Sequence, residues 1–261
     1  MRTEVSIGVP GAIGEAARVL APRIEAAGFA GLWLNDSEQG DSLAGLAAAA
    51  EATTHLRLAT GVIPVDRRPG PAIVDDLLRT GVPQARLTVG VGSGRLRAGA
   101  LRQVGETVDV LRAETGVAVV VGALGPRMRA LAADRADGAL LSWLPPAVAT
   151  EQATELRDRG RAAQGEAPRA ALYARAVVDE AARPALEREA AAYASYPAYA
   201  ANFARLGVDA LDTVLPRAGG DLASGVAAYA GVDELVLRAI TPTGSLDDLL
   251  AFVDRAAALL A

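Results

Sequence analysis

The sequence has no cysteine, no lysine and a single histidine, His55. Each absence removes a class of chemistry. Without cysteine there is no disulfide, no thiolate nucleophile and no iron–sulfur ligation. Without lysine there is no Schiff base, no pyridoxal anchor and no Walker A phosphate loop. One histidine cannot furnish a histidine-rich zinc site. Abundant Ala and Arg with no Lys is what a coding bias toward guanine and cytosine produces, and the chemical exclusions stand whatever its origin. Long apolar runs are missing too: the stretch 116–124 is among the longest, well short of the roughly 20 residues a bilayer requires. The first residues lack the apolar core of a secretory signal, so a cytoplasmic location is expected. The net charge of −5 is mild, and the arginines are scattered among acids rather than gathered into a basic stripe. Nucleic acid is therefore not an expected partner, and neither is a membrane.

What is present is an alternation. Runs rich in Val, Ile and Leu recur between Ala-rich helical stretches, the pattern of strands buried on both faces of a parallel sheet. Strands are predicted over 4–9, 31–35, 56–63, 86–91, 117–122, 138–143, 171–178 and 234–240. Helices are predicted over 14–27, 42–53, 71–80, 101–114, 127–136, 147–163, 184–206 and 246–260, with an extra helix within 212–229. Gly28 and Gly207 stand where helix-ending glycines belong. Eight βα units in 261 residues fit one α/β domain, a closed (β/α)8 TIM-type barrel spanning 1–261. The rival, an open doubly wound sheet, would carry a Gly-rich phosphate turn after the first strand, which Gly8-Val9-Pro10-Gly11-Ala12 does not match.

A barrel places its chemistry at the C-terminal ends of its strands. Those ends read Asn35-Asp36-Ser37, Thr60-Gly61-Val62, Gly92-Ser93-Gly94-Arg95, Gly122-Ala123-Leu124-Gly125-Pro126 and Ser142-Trp143. They supply hydroxyls, glycines and arginines but no paired acids, which disfavours glycoside hydrolysis by a carboxylate pair. A mouth poor in nucleophiles and rich in glycine suits a large cofactor that carries the chemistry itself. The helix that opens at Gly125-Pro126 offers free amides and a dipole for a phosphate, with Ser93 and Arg95 nearby on the preceding loop. His55 precedes the third strand at the far end of the barrel and reads as a solvated loop residue. Trp33 alternates with Leu32 and Leu34 and reads as core, whereas Trp143 fits pocket lining and core packing equally.

Four segments, in order, resemble the luciferase-like family of flavin and deazaflavin (coenzyme F420) oxidoreductases: 25–36, 57–62, 86–94, and 125–128 with 136–138. The resemblance implies a bacterial-luciferase-like barrel and a cofactor site drawn from Asp36, Thr60, Gly61, Val62, Gly92, Ser93, Gly94, Arg95, Gly122, Ala123, Gly125 and Trp143. It also implies a bulge after the third strand with a non-proline cis peptide between Gly61 and Val62, pressing on the back of the ring system. Coenzyme F420 is the expected cofactor and FMN the alternative. Arg67, Arg68, Arg95 and Arg97, on loops bordering the pocket, suit the acidic tail that only F420 carries. The implied activity is hydride transfer between F420 and a small organic substrate. The alternatives are an FMN-dependent monooxygenase fed with reduced flavin and a flavin-binding protein without turnover. A homodimer is the one protein assembly entertained. Two departures stand out. The family's longer insertion after the fourth strand is missing, and Ser37 stands where some deazaflavin members have a histidine.

Overall fold

The computed structural model describes residues 3–217 and 219–261. The strands are β1 (Glu4–Pro10), β2 (Gly31–Asn35), β3 (Arg57–Thr60), β4 (Ile63–Pro64), β5 (Leu87–Gly92), β6 (Ala118–Gly122), β7 (Gly138–Ser142), β8 (Arg169–Ala176) and β9 (Glu234–Ala239). All pair in parallel. β9 lies between β1 and β8, and β3 pairs with both β2 and β5, so the sheet closes into a barrel. β3 and β4 are two pieces of one barrel strand, interrupted where the Gly61–Val62 peptide is cis, at the position the resemblance implied.

Around the barrel lie α1 (Ala17–Ala26), α2 (Ser42–Ala52), α3 (Gly70–Thr80), α4 (Ala100–Glu114), α5 (Pro126–Arg135), α6 (Pro146–Gln164), α7 (Arg183–Ser195), α8 (Pro197–Leu206), α9 (Leu222–Ala227) and α10 (Leu246–Leu260). One expectation is corrected. The single helix predicted over 184–206 is two, because Pro197 cannot donate a backbone hydrogen bond and holds Tyr196 in extended geometry at φ −76° and ψ 125°. The extra helix predicted within 212–229 is α9.

Side chains alternate along each strand, so every second residue faces the barrel axis. The outward set, including Ile7, Val9, Leu32, Leu34, Val89, Val91, Val119, Val121, Leu235 and Leu237, is fully buried against the helices. The inward set forms a layer of Trp33, Ala59, Val120, Leu140, Ala171, Tyr173 and Val236. Below it, at the N-terminal end, Glu234 accepts hydrogen bonds from Ser6 Oγ at 2.6 Å and Trp33 Nε1 at 2.8 Å. Arg57 and Arg169 converge there on Glu4, at 2.7 and 2.6 Å. A buried carboxylate is costly unless paired and hydrogen-bonded, and this network meets both conditions. Trp33 is thus core, and His55 is exposed on the loop before β3, both as expected. Among the described residues no helix is long and apolar enough to cross a membrane.

Candidate functional site

Continuing the inward alternation by one step beyond the hydrophobic layer brings Asn35, Gly61, Gly92, Gly122, Ser142 and Arg175 to the C-terminal mouth. There they line a cavity of about 620 Å³. That volume lies within the roughly 300–1,000 Å³ typical of small-molecule sites. The floor is set by glycine. A Cβ on Gly92 would lie 2.6 Å from Val62 Cγ2, and one on Gly122 would lie 3.1 Å from Val62 Cγ1. Only the bare backbone at both positions lets Val62 sit between them.

One wall is the start of α5. Gly125 is its N-cap residue and has no capping side chain, and Pro126 takes the first helical position. The amides of Leu124 and Gly125 make no hydrogen bond within the described residues, and the space where a Gly125 side chain would project is open. Unspent amides at a ten-residue helix's N-terminus form a natural site for an anion.

Another wall is the α7–α8 pair, which contributes Tyr193, Ala198, Tyr199, Ala201, Asn202 and Arg205. The loop from β5 to α4 is short, and this tyrosine-rich pair supplies much of the remaining lining of the mouth. Tyr193 and Tyr199 meet edge to face at 4.8 Å between ring centroids. Burial first, and then the neighbouring phenol of Tyr193, hold the Tyr199 hydroxyl above its ordinary pKa against the pull of Arg175. Burial does the same to Tyr173 beneath the floor. Both phenols stay protonated near neutral pH and act as hydrogen-bond groups, not bases.

Arg175 is the buried cation of the mouth, only 4% exposed. Its Nε donates to Glu189 at 2.9 Å and its Nη1 to Ser142 Oγ at 2.7 Å, and its guanidinium lies over the Trp143 ring. Nothing in the sequence reading singled it out. The signal was there: one arginine in the otherwise apolar run 170–178, in phase with inward-facing Ala171 and Tyr173.

Nine of the twelve sequence-predicted positions line this cavity: Asp36, Gly61, Val62, Gly92, Ser93, Gly94, Gly122, Ala123 and Gly125. Three do not. Thr60 is out of phase; its Oγ1 donates to Gly90 O at 3.0 Å and accepts from Gly90 N at 2.8 Å, sealing the β3–β5 seam. Arg95 is turned outward, with its side chain 87% exposed and paired with Glu38 at 2.9 Å. Trp143 adopts φ 56°, which swings its indole away from the cavity into a cluster with Tyr193, Phe203 and Leu186.

Asp36 borders the cavity, but its carboxylate is spent. Oδ1 takes Arg67 at 2.7 Å, and Oδ2 takes Arg68 at 3.3 Å and Ser42 Oγ at 2.9 Å. Arg68 also reaches Asp41 and Asp76. The rim arginines Arg67, Arg68 and Arg95 are therefore all neutralised by acids of this chain, and Arg97 is exposed outside the cavity lining.

Residues 4–95 match the model of the luciferase-like monooxygenase family. The fold is that of a luciferase-like barrel. Its architecture superposes along the whole chain on a monooxygenase from Streptomyces bottropensis, with TM-score 0.71 at 18% identity, covering 99% of this chain and 98% of that one. An F420-dependent secondary alcohol dehydrogenase, solved with an F420–acetone adduct, gives TM-score 0.75 at 16% identity over 98% of this chain and 99% of that one. The oxygenating constituent of 3,6-diketocamphane monooxygenase from Pseudomonas putida, solved with FMN, gives 0.65 at 13% over 98% of both. No curated protein matches by sequence. The luciferase-like barrel thus shares its fold with both deazaflavin and flavin enzymes.

Proposed function

We propose that the luciferase-like barrel is an oxidoreductase that moves a hydride between coenzyme F420 and a small organic substrate. One observation carries this reading. The cavity is rich in hydrogen-bond donors and, among the described residues, has no free acid or base, since Asp36 is the one carboxylate in that lining and is fully engaged. Such a mouth positions and polarises, and the reactive centre must arrive with a bound group.

The residues present suit a planar ring system with a phosphate-bearing side arm. Gly61, Val62, Gly92 and Gly122 form the floor on which the ring would rest. Asn35 Oδ1 is buried without a partner at the edge of that floor, an acceptor suited to a ring N–H, and Asn35 Nδ2 is fixed by donation to Gly61 O. The unspent amides at Leu124 and Gly125, with Ser93 on the loop after the neighbouring strand β5, would hold the phosphate. The bound deazaflavin would supply the carbon that gives or takes the hydride. Arg175, fixed by Glu189, Ser142 and Trp143, would orient the substrate's polar group and exclude water.

A second reading, an FMN-dependent monooxygenase, is favoured by one feature. The arginines suited to the acidic F420 tail are already paired within the chain, so the rim offers that tail little net charge. Fluorescence titration of the purified protein with F420 and with FMN, at low and high salt, separates the two. Salt-sensitive F420 binding tighter than FMN binding supports the first reading. Tight FMN binding without F420 binding replaces it with the second, and binding of neither overturns both.

A further inference from the structure

We propose that the α8 face carrying Tyr199, Asn202 and Arg205 binds the carboxylate of a small aromatic acid, the substrate class of this pocket. The inference deepens the oxidoreductase reading and rests on it only in taking the same cavity as the site. Residues three apart on a helix share a face, so Tyr199, Asn202 and Arg205 look into the cavity together, with the small Ala198 and Ala201 leaving room beside them.

Two polar groups on this face are unfinished. Asn202 is only 5% exposed; its Oδ1 accepts from Arg205 Nη2 at 2.6 Å, and its Nδ2 has no partner. A buried donor without an acceptor is costly, and none of the described residues supplies one here. Arg205 makes that single hydrogen bond and, among the described residues, pairs with no carboxylate. It is thereby unlike Arg67, Arg68, Arg95 and Arg175, whose charge is met by Asp36, Asp41, Asp76, Glu38 or Glu189. An un-neutralised guanidinium beside a buried amide donor asks for a planar acceptor bearing negative charge, and a carboxylate meets both demands.

The rest of the wall describes what the carboxylate is attached to. Tyr193 and Tyr199 both line the cavity and stand edge to face, and rings so placed favour an aromatic body against them. The Tyr199 hydroxyl, kept protonated by burial, is a third donor on the same face. The α5 N-terminus, on a separate element, remains for the cofactor's phosphate.

The test uses benzoate as the probe and benzamide, of the same shape without the charge, as its control. Both are titrated into the purified protein by calorimetry and followed by saturation-transfer NMR. Benzoate is expected to bind about tenfold or more tightly than benzamide, the minimum for charge-assisted hydrogen bonds worth about 1.5–3 kcal/mol. Arg205→Gln and Asn202→Leu should each remove most of that preference, lowering benzoate affinity far more than benzamide affinity, and Arg205→Lys should restore part of it. FMN and F420 titrations of the same variants should match those of the unaltered protein. Equal binding of benzoate and benzamide, or binding of neither, overturns the inference. So does an Arg205→Gln variant that loses cofactor affinity in step with benzoate, which would assign Arg205 to the cofactor. Cofactor titration of the unaltered protein tests the oxidoreductase reading separately.

Discussion

The guanidinium carbon of Arg175 lies 3.8 Å from the centre of the Trp143 ring, and the Tyr193 ring stands 4.7 Å away on the same cation. The two ring centroids are 5.1 Å apart, so the cation rests in the corner between them, and Glu189 neutralises it at 2.9 Å. This pairing turns an indole that the family resemblance assigns to the pocket into the support of a residue that faces it. A desolvated cation–π contact of this kind is worth about 2 kcal/mol. A double-mutant cycle with Arg175→Met and Trp143→Leu, read by urea unfolding, should return a coupling energy of about 1–2 kcal/mol. Strict additivity would mean that the two residues are neighbours without being partners.

The α5 N-terminus gives a prediction in which stability and binding move in opposite directions. Gly125→Asp places a favoured N-cap residue where the side chain has open space, so the fold should gain a few tenths of a kcal/mol. The same carboxylate would occupy the anion site and repel a phosphate. Cofactor affinity should fall at least about tenfold, as expected for replacing charge-assisted contacts by like-charge repulsion. Thermal unfolding and cofactor titration of one preparation check both halves.

Arg95→Ala should leave cofactor affinity within about twofold of the original, because an exposed surface ion pair is worth about 0–1 kcal/mol and Arg95 spends its charge on Glu38 outside the cavity. A loss of tenfold or more would mean that the β5–α4 loop swings inward when the cofactor binds.

At the other end of the barrel, hydrogen bonding from Arg57, opposed by burial and reinforced by Arg169, holds the Glu4 carboxyl below its ordinary pKa of 4.5. A carboxyl depressed on folding stabilises the native state above its unfolded pKa, and that contribution is lost as pH falls through the folded value. The Glu4→Gln variant should therefore be less stable than the original protein at pH 7, with the gap narrowing steadily below about pH 4.5. Urea midpoints measured from pH 7 to pH 3 would show it. A gap independent of pH would mean that Glu4 acts by shape and not by charge.

What the sequence determined by itself was periodic or local. The eight apolar runs at regular spacing marked a parallel sheet buried on both faces, and their number, with no Gly-rich phosphate turn after the first strand, pointed to a closed barrel. Strand ends followed by glycine marked Gly61, Gly92 and Gly122, since close approach of a backbone to another group leaves its mark at the residue itself. The tertiary structure decided whatever depended on partners distant in the chain. Thr60 faces Gly90 and not the mouth because its phase is set by pairing with β5. Arg67, Arg68 and Arg95 are bound to acids on other loops, while Arg205, which no pattern distinguished, is left facing the cavity without one. Trp143 turned outward at φ 56° because the aromatic cluster of α7 and α8, some fifty residues later in the chain, supplies the surface that buries it. Composition and period specify which face of an element is buried. Which charges cancel, and which polar groups remain for a ligand, is fixed only when elements far apart in sequence meet.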